Sequence, residues 1–126
     1  MITEADILME RDKVYPLSEG LKTNLHNLVK AVNILELVCP HTFVVSSGYR
    51  PPAINAKVVG AAQNSAHAVC MAVDLSDKDG KIDQWCLDNL KELEIVGLFL
   101  EDPKSTAGWC HLTTRAPKSG KRVFKP

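Results

Sequence analysis

Leu21, Leu25, Leu28, Val32 and Leu35 recur at spacings of three and four, which lays them along one stripe of an α-helix. Ser18, just ahead of the stripe, is placed to accept a hydrogen bond from a free amide of the first turn. The helix is expected to stop near Cys39-Pro40, because proline cannot continue it. Phe43-Val44-Val45 then changes the pattern to a β-branched and aromatic run that predicts a short strand, leading into Ser46-Ser-Gly-Tyr-Arg-Pro-Pro52. In that segment Gly48 allows a sharp bend, and Pro51 and Pro52 stiffen the exit, so Arg50 leaves the strand on a rigid turn. Residues 53–60 read as a short helix closed by Gly60.

Met71-Ala-Val-Asp-Leu75 predicts a second strand, with Ala72 and Asp74 on one face and Val73 and Leu75 on the other. Asp77-Lys-Asp-Gly80 is a turn, and Ile82, Cys86, Leu90 and Leu93 mark a second amphipathic helix with Trp85 against its edge. Val96-Gly-Leu-Phe-Leu100 predicts a third strand, ending at Glu101-Asp-Pro103. Trp109-Cys-His-Leu112 predicts a fourth, with Trp109 and His111 on one face. Helices come first and again among short strands, a pattern of α+β with a small antiparallel sheet flanked by helices rather than alternating βαβ units.

Composition narrows this to one domain, residues 1–126, since 126 residues with 45% hydrophobic content support one core and are too few for two ordinary ones. Fifteen basic and fifteen acidic residues cancel, so nothing global points to nucleic acid or a membrane surface. The segment 113–126 is uneven: Arg115, Lys118, Lys121, Arg122 and Lys125 with no acid among them. It reads as a solvated tail or as a contact to an anionic polymer or to substrate carboxylates. Phe124 is the one aromatic there, which speaks against nucleic acid as a partner. No apolar run approaches the ~20 residues of a membrane span, and Met1 to Asp12 is acidic where a signal peptide would be basic. Synthesis in the cytoplasm without a signal peptide, and no membrane insertion, are the expectations. Cys39, Cys70, Cys86 and Cys110 form no C-x-x-C pair and read as reduced core thiols.

The candidate chemistry lies in His67, Asp74 and His111, two imidazoles and a carboxylate of the kind that bind zinc and leave a fourth position open for water. Each alone has an ordinary explanation, a structural histidine or a turn aspartate; the combination on elements that can face one another is what points to a metal. His26 and His41 read as surface residues. A closed structural site from His67, Cys70, Cys110 and His111 is the rival, opposed by strand alternation, which turns Cys110 and His111 to opposite faces.

Ser65-x-His67-x-x-Cys70-x-Ala72-x-Asp74, followed by Glu101 and Trp109-x-His111 and preceded by Ser47-Gly-Tyr-Arg50, resembles the signature of the M15 zinc peptidases. That family includes D-Ala-D-Ala carboxypeptidases and bacteriophage endolysins that cut peptidoglycan peptides. The resemblance covers roughly residues 43 to 112. It implies a Hedgehog/DD-peptidase-like α+β fold, Zn2+ held by His67, Asp74 and His111, an acidic general base and a substrate-engaging arginine, which is Arg50. Several members carry the acid three residues before the last histidine. Here that position is Gly108, so Glu101, with Asp102 beside it, is the candidate base, as in phage-type members with the glutamate at the end of the preceding strand. Cys70 stands where the family usually has glycine. Ser65, Ser47, Tyr49 and Trp109 are expected to support the ligands or touch substrate. The implied activity is hydrolysis of peptidoglycan stem peptides, as a D-Ala-D-Ala carboxypeptidase or an L-Ala-D-Glu endopeptidase, in a phage endolysin or virion-associated lysin acting at the cell wall. The alternative is a non-catalytic virion or interaction protein that keeps the fold.

Overall fold

The 20-residue helix over which the apolar stripe runs is the central support of the fold in the computed structural model, which describes residues 1–59 and 64–126. This helix, α2 (Glu19–Val38), begins where Ser18 Oγ accepts from the Leu21 amide at 3.2 Å, and it buries Leu25, Leu28, Ala31, Val32 and Leu35. Those side chains meet the sheet. The five strands are β1 (Val45–Ser47), β2 (Ala72–Asp77), β3 (Phe99–Glu101), β4 (Gly108–Thr113) and β5 (Val123–Phe124), in the order β1-β2-β4-β3-β5. Val73, Leu75, Leu100, Cys110 and Leu112 turn into the core, and alternation leaves Asp74, Glu101, Trp109 and His111 off it.

Four strands pair antiparallel, as the sequence predicts; β5 is a fifth, parallel to β3, so the sheet is mixed. Its residues lie in the basic segment 113–126, which is therefore not simply a solvated tail. Val123 packs against the core, and the Leu100 amide donates to Arg122 O at 2.8 Å.

Several predicted boundaries move. The first strand, expected over Phe43–Val45, is Val45–Ser47. The 53–60 helix is only α3 (Pro52–Asn55): Pro52 suits a first helical position, but Val59 is fully exposed and there is no apolar stripe to bury, so the chain passes into turns. Gly60 lies outside the described residues. The helix through Ile82 and Leu93 is two, α4 (Lys81–Asp88) and α5 (Leu90–Val96), broken at Asn89, whose side chain donates to Trp85 O at 2.8 Å. Val96 ends α5 instead of opening β3, because Gly97 adopts a left-handed cap (φ 80°) before the strand starts at Phe99.

An N-terminal helix, α1 (Glu4–Leu8), went unpredicted, since its first residues show acidity but no long stripe. It carries a capping box between Thr3 and Asp6 and buries Ile7. The Ile7 carbonyl accepts from the Tyr49 amide at 2.7 Å, and Asn33 on α2 holds the Ile2 backbone through both its donor and its acceptor. All four cysteines are free, with Cys70, Cys86 and Cys110 buried. Among the described residues no helix is long and apolar enough to cross a membrane.

Candidate metal centre

The ladder between β2 and β4 sets Asp74 directly opposite His111. Strand alternation turns both side chains to the face away from the helices, and His111 Nδ1 lies 2.8 Å from Asp74 Oδ1. His67 comes from a 3-10 turn, Ala66–Val69, that precedes β2. Ser65 caps it by accepting the His67 amide at 3.1 Å, and Asn24 on α2 donates to Val69 O at 3.0 Å. The turn ends at Cys70 in the left-handed conformation (φ 58°), which reverses the chain into β2. This is the backbone geometry that favours glycine.

His67 is 2% exposed. Its Nδ1 pairs with Gly48 O at 2.9 Å, and because a carbonyl only accepts, Nδ1 carries the proton. Nε2 then presents its lone pair to Asp74 Oδ2, 3.3 Å away. Lone pair facing carboxylate needs a second proton or a cation between them, and the one carboxylate meets both imidazoles. The two rings lie edge to face, 5.1 Å apart. Among the described residues, His67, Asp74 and His111 form one group whose ligand atoms are all within 4.8 Å of one another. Donors around a tetrahedral zinc at ~2.1 Å stand about 3.4 Å apart, so these residues fit such an ion with small side-chain adjustments.

The carboxylate is electrostatically prepared. Burial would raise the Asp74 pKa, but when the imidazoles are protonated their hydrogen bonds and positive charge, from His111 and His67, outweigh it and hold the group well below the usual carboxylate range. The cysteines take no part in the group. Cys70 is wholly buried, and burial pushes its thiol up to about 11; Cys110 faces the core beside Cys86 and Asp83, also raised.

Glu101 ends β3, and the register through Leu100↔Leu112 brings it opposite His111 one step on. Leu98 and Leu100 are fully buried while Phe99 and Glu101 are half-buried on the other face. Burial pushes the Glu101 carboxyl up, His111 draws it down, and Asp74 and Asp102 push it up again, leaving it raised. Arg50 is half-buried, with Nε sealed from solvent and unpaired; its amide donates to His67 O at 3.1 Å and its guanidinium lies within the field of Asp74.

The remaining expected residues divide. Ser65 shapes the turn that carries His67, and Ser47 pairs with Asp74 across β1 and β2. Trp109, 36% exposed, shares the face of His111. Tyr49 is instead buried in the core, its hydroxyl donating to Tyr15 O at 3.2 Å, so it anchors the N-terminal segment. Two contributors escape the sequence reading. One is the Gly48 carbonyl, since main-chain acceptors leave no mark in residue type. The other is Phe124, whose ring lies edge to face with His111 at 6.2 Å; an apolar pair, Val123-Phe124, inside a basic stretch was the available signal.

A family model described as Peptidase M15 matches residues 7–101. No curated protein and no solved structure matches the chain. The matched span contains Arg50, His67, Asp74 and Glu101 and stops short of His111, which joins the group through the β2–β4 pairing.

Proposed function

The chain belongs to the M15 peptidase family, and from that premise we propose that it is a zinc-dependent peptidase of peptidoglycan stem peptides, of the phage endolysin or virion-associated lysin kind. His67 and His111 would hold the metal through the ring nitrogens that face Asp74, and Asp74 would hold it through its carboxylate. When bound, zinc supplies a Lewis acid that makes water nucleophilic near neutral pH and polarises a peptide carbonyl.

The chain's own residues do the rest. Glu101, half-buried and less acidic than an exposed glutamate, takes the proton from the attacking water at a carboxylate oxygen and returns it to the leaving amine. Arg50 keeps its charge despite burial and grips a carboxylate of the stem peptide with its planar fork. The Gly48 carbonyl fixes the His67 ring and Ser65 holds its backbone amide, so the ligand is oriented before substrate arrives. Trp109 offers an apolar surface on the same face for the body of the substrate. The enzyme would act at the bacterial cell wall.

The observation that carries this reading is the shared contact of one partly buried carboxylate with two imidazoles from different elements. A non-catalytic relative would be expected to have lost one of these donors, and all three are present. Digestion of purified peptidoglycan, with the products weighed by mass spectrometry before and after chelation, tests it. Chelator-sensitive release of D-alanine identifies a carboxypeptidase, and release of peptides that begin at D-Glu, with L-alanine left on the glycan, identifies an L-Ala-D-Glu endopeptidase. No product with zinc-loaded protein sinks the proposal.

A further inference from the structure

The two imidazoles at Asp74 are not held alike. His67 is locked through Nδ1 to the Gly48 carbonyl, on a turn capped by Ser65 and sealed from solvent. His111 uses Nδ1 at Asp74, and no hydrogen bond among the described residues reaches its other ring nitrogen. Metal-binding histidines ordinarily rely on such a second bond to set the ring's orientation. What flanks His111 instead is aromatic: His67 at 5.1 Å with the planes 68° apart, and Phe124 at 6.2 Å with the planes 76° apart.

The strand that presents Phe124 is tied to β3 at several points. The Leu100 amide donates to Arg122 O at 2.8 Å, and the Asp102 amide donates to Phe124 O at 2.7 Å. Glu101 and Phe124 are register partners. The Arg122 guanidinium donates to Leu98 O at 2.8 Å and lies 4.1 Å over the Phe99 ring. Alternation along β5 then sends Val123 to the core and Phe124 to the metal face. Arg122, Val123 and Phe124 themselves lie beyond residues 7–101, the span that matches the family.

We propose that Phe124 is a positioning residue which, by edge-to-face packing on the His111 ring, holds Nδ1 of that ring toward the metal in place of the missing hydrogen bond. This rests on the reading of His111 as a ligand. An aromatic wall suits the task because edge-to-face contact penalises rotation of the imidazole without supplying a competing donor atom.

Zinc affinity, measured by competition with a fluorescent chelator, and melting of the zinc-free protein together test it on the parent, Phe124→Ala, Phe124→Leu, Phe124→Tyr and His111→Ala. Phe124→Ala is expected to bind zinc about tenfold more weakly, the scale of losing an orienting partner, and Phe124→Tyr, which keeps the ring, to bind as the parent does. Phe124→Leu keeps apolar bulk on β5 and is expected to melt as the parent does without zinc, yet bind zinc more weakly. Parent-like zinc affinity in Phe124→Leu and Phe124→Ala would overturn the proposal, as would a loss of affinity matched by an equal loss of zinc-free stability in both. A parent that binds zinc no more tightly than His111→Ala removes the metal reading itself; a parent that binds while His111→Ala does not, with the Phe124 variants unchanged, removes only this inference.

Discussion

Gly48 lies so close to Ile7 that a β-carbon on it would stand 2.2 Å from the Ile7 carbonyl oxygen. The glycine is needed there for the approach of another backbone, not for a left-handed bend, since its φ is not among the positive ones. Its own carbonyl in turn accepts from His67 Nδ1. The N-terminal helix and the His67–Asp74–His111 group are thus joined through a single residue without a side chain.

Gly48→Ala should therefore disturb both. The backbone of 47–50 or that of Ile7 has to shift, and the His67 ring loses its fixed acceptor. We expect destabilisation of about 2 kcal/mol or more in urea melts, the range of overpacked sites, with weaker zinc binding. An alanine variant with parental stability and zinc affinity would show that the contact relaxes freely.

Glu101→Gln separates chemistry from metal binding. The amide keeps the size of the side chain and cannot accept a proton at neutral pH. Turnover should fall about 10²-fold or more while zinc content stays at the parental level. Loss of zinc along with activity would place Glu101 among the ligands instead, and full activity would remove it from the reaction.

At Cys70 the left-handed backbone and the buried thiol act against each other. Cys70→Gly relieves about 1 kcal/mol of backbone strain and gives up a similar amount of buried side chain, so it should be nearly neutral. Cys70→Val adds β-branching at positive φ and should cost about 2 kcal/mol. Denaturant melts of the two variants check this, and equal stability for both would mean that the backbone is not constrained at this position.

Asp83, 6% exposed, is raised to about 6, chiefly by burial; a hydrogen bond with Cys110 lowers it, Asp77 raises it, and Thr106 and Glu101 add smaller effects of opposite sign. Between the unfolded value near 3.8 and this one, the folded protein holds a proton that the unfolded chain has lost, so this group's contribution to stability falls as pH rises through that window. Asp83→Asn should raise the melting temperature relative to the parent at pH 7 to 8, and the difference should vanish near pH 4. A constant difference across that range would mean that the carboxyl titrates normally in the fold. Asp74 has the opposite sign, its stabilisation being lost only in stronger acid.

Much of the site was legible because its chemistry resides in residue type and period. The stripe on α2, the alternation at Val73 and Leu75, and the pairing of Trp109 with His111 on one face follow from spacing alone, and the fold reproduces each. His67, Asp74 and His111 stood out as donors because their types and setting are characteristic of a metal site. The register that sets Asp74 opposite His111 is a matter of long-range pairing, which no local pattern encodes.

The sequence by itself determined which faces of the helices and strands are apolar and which side chains can offer lone pairs to a cation, because both depend only on composition and period. The tertiary structure decided the rest: that the helix after Gly80 breaks at Asn89, that Tyr49 anchors the N-terminus, that the Gly48 carbonyl locks His67, and that the basic C-terminal segment returns as a strand to set Phe124 on His111. These depend on main-chain acceptors and on contacts between residues far apart in the chain, where the free energy of a local segment is the same whichever distant partner it meets.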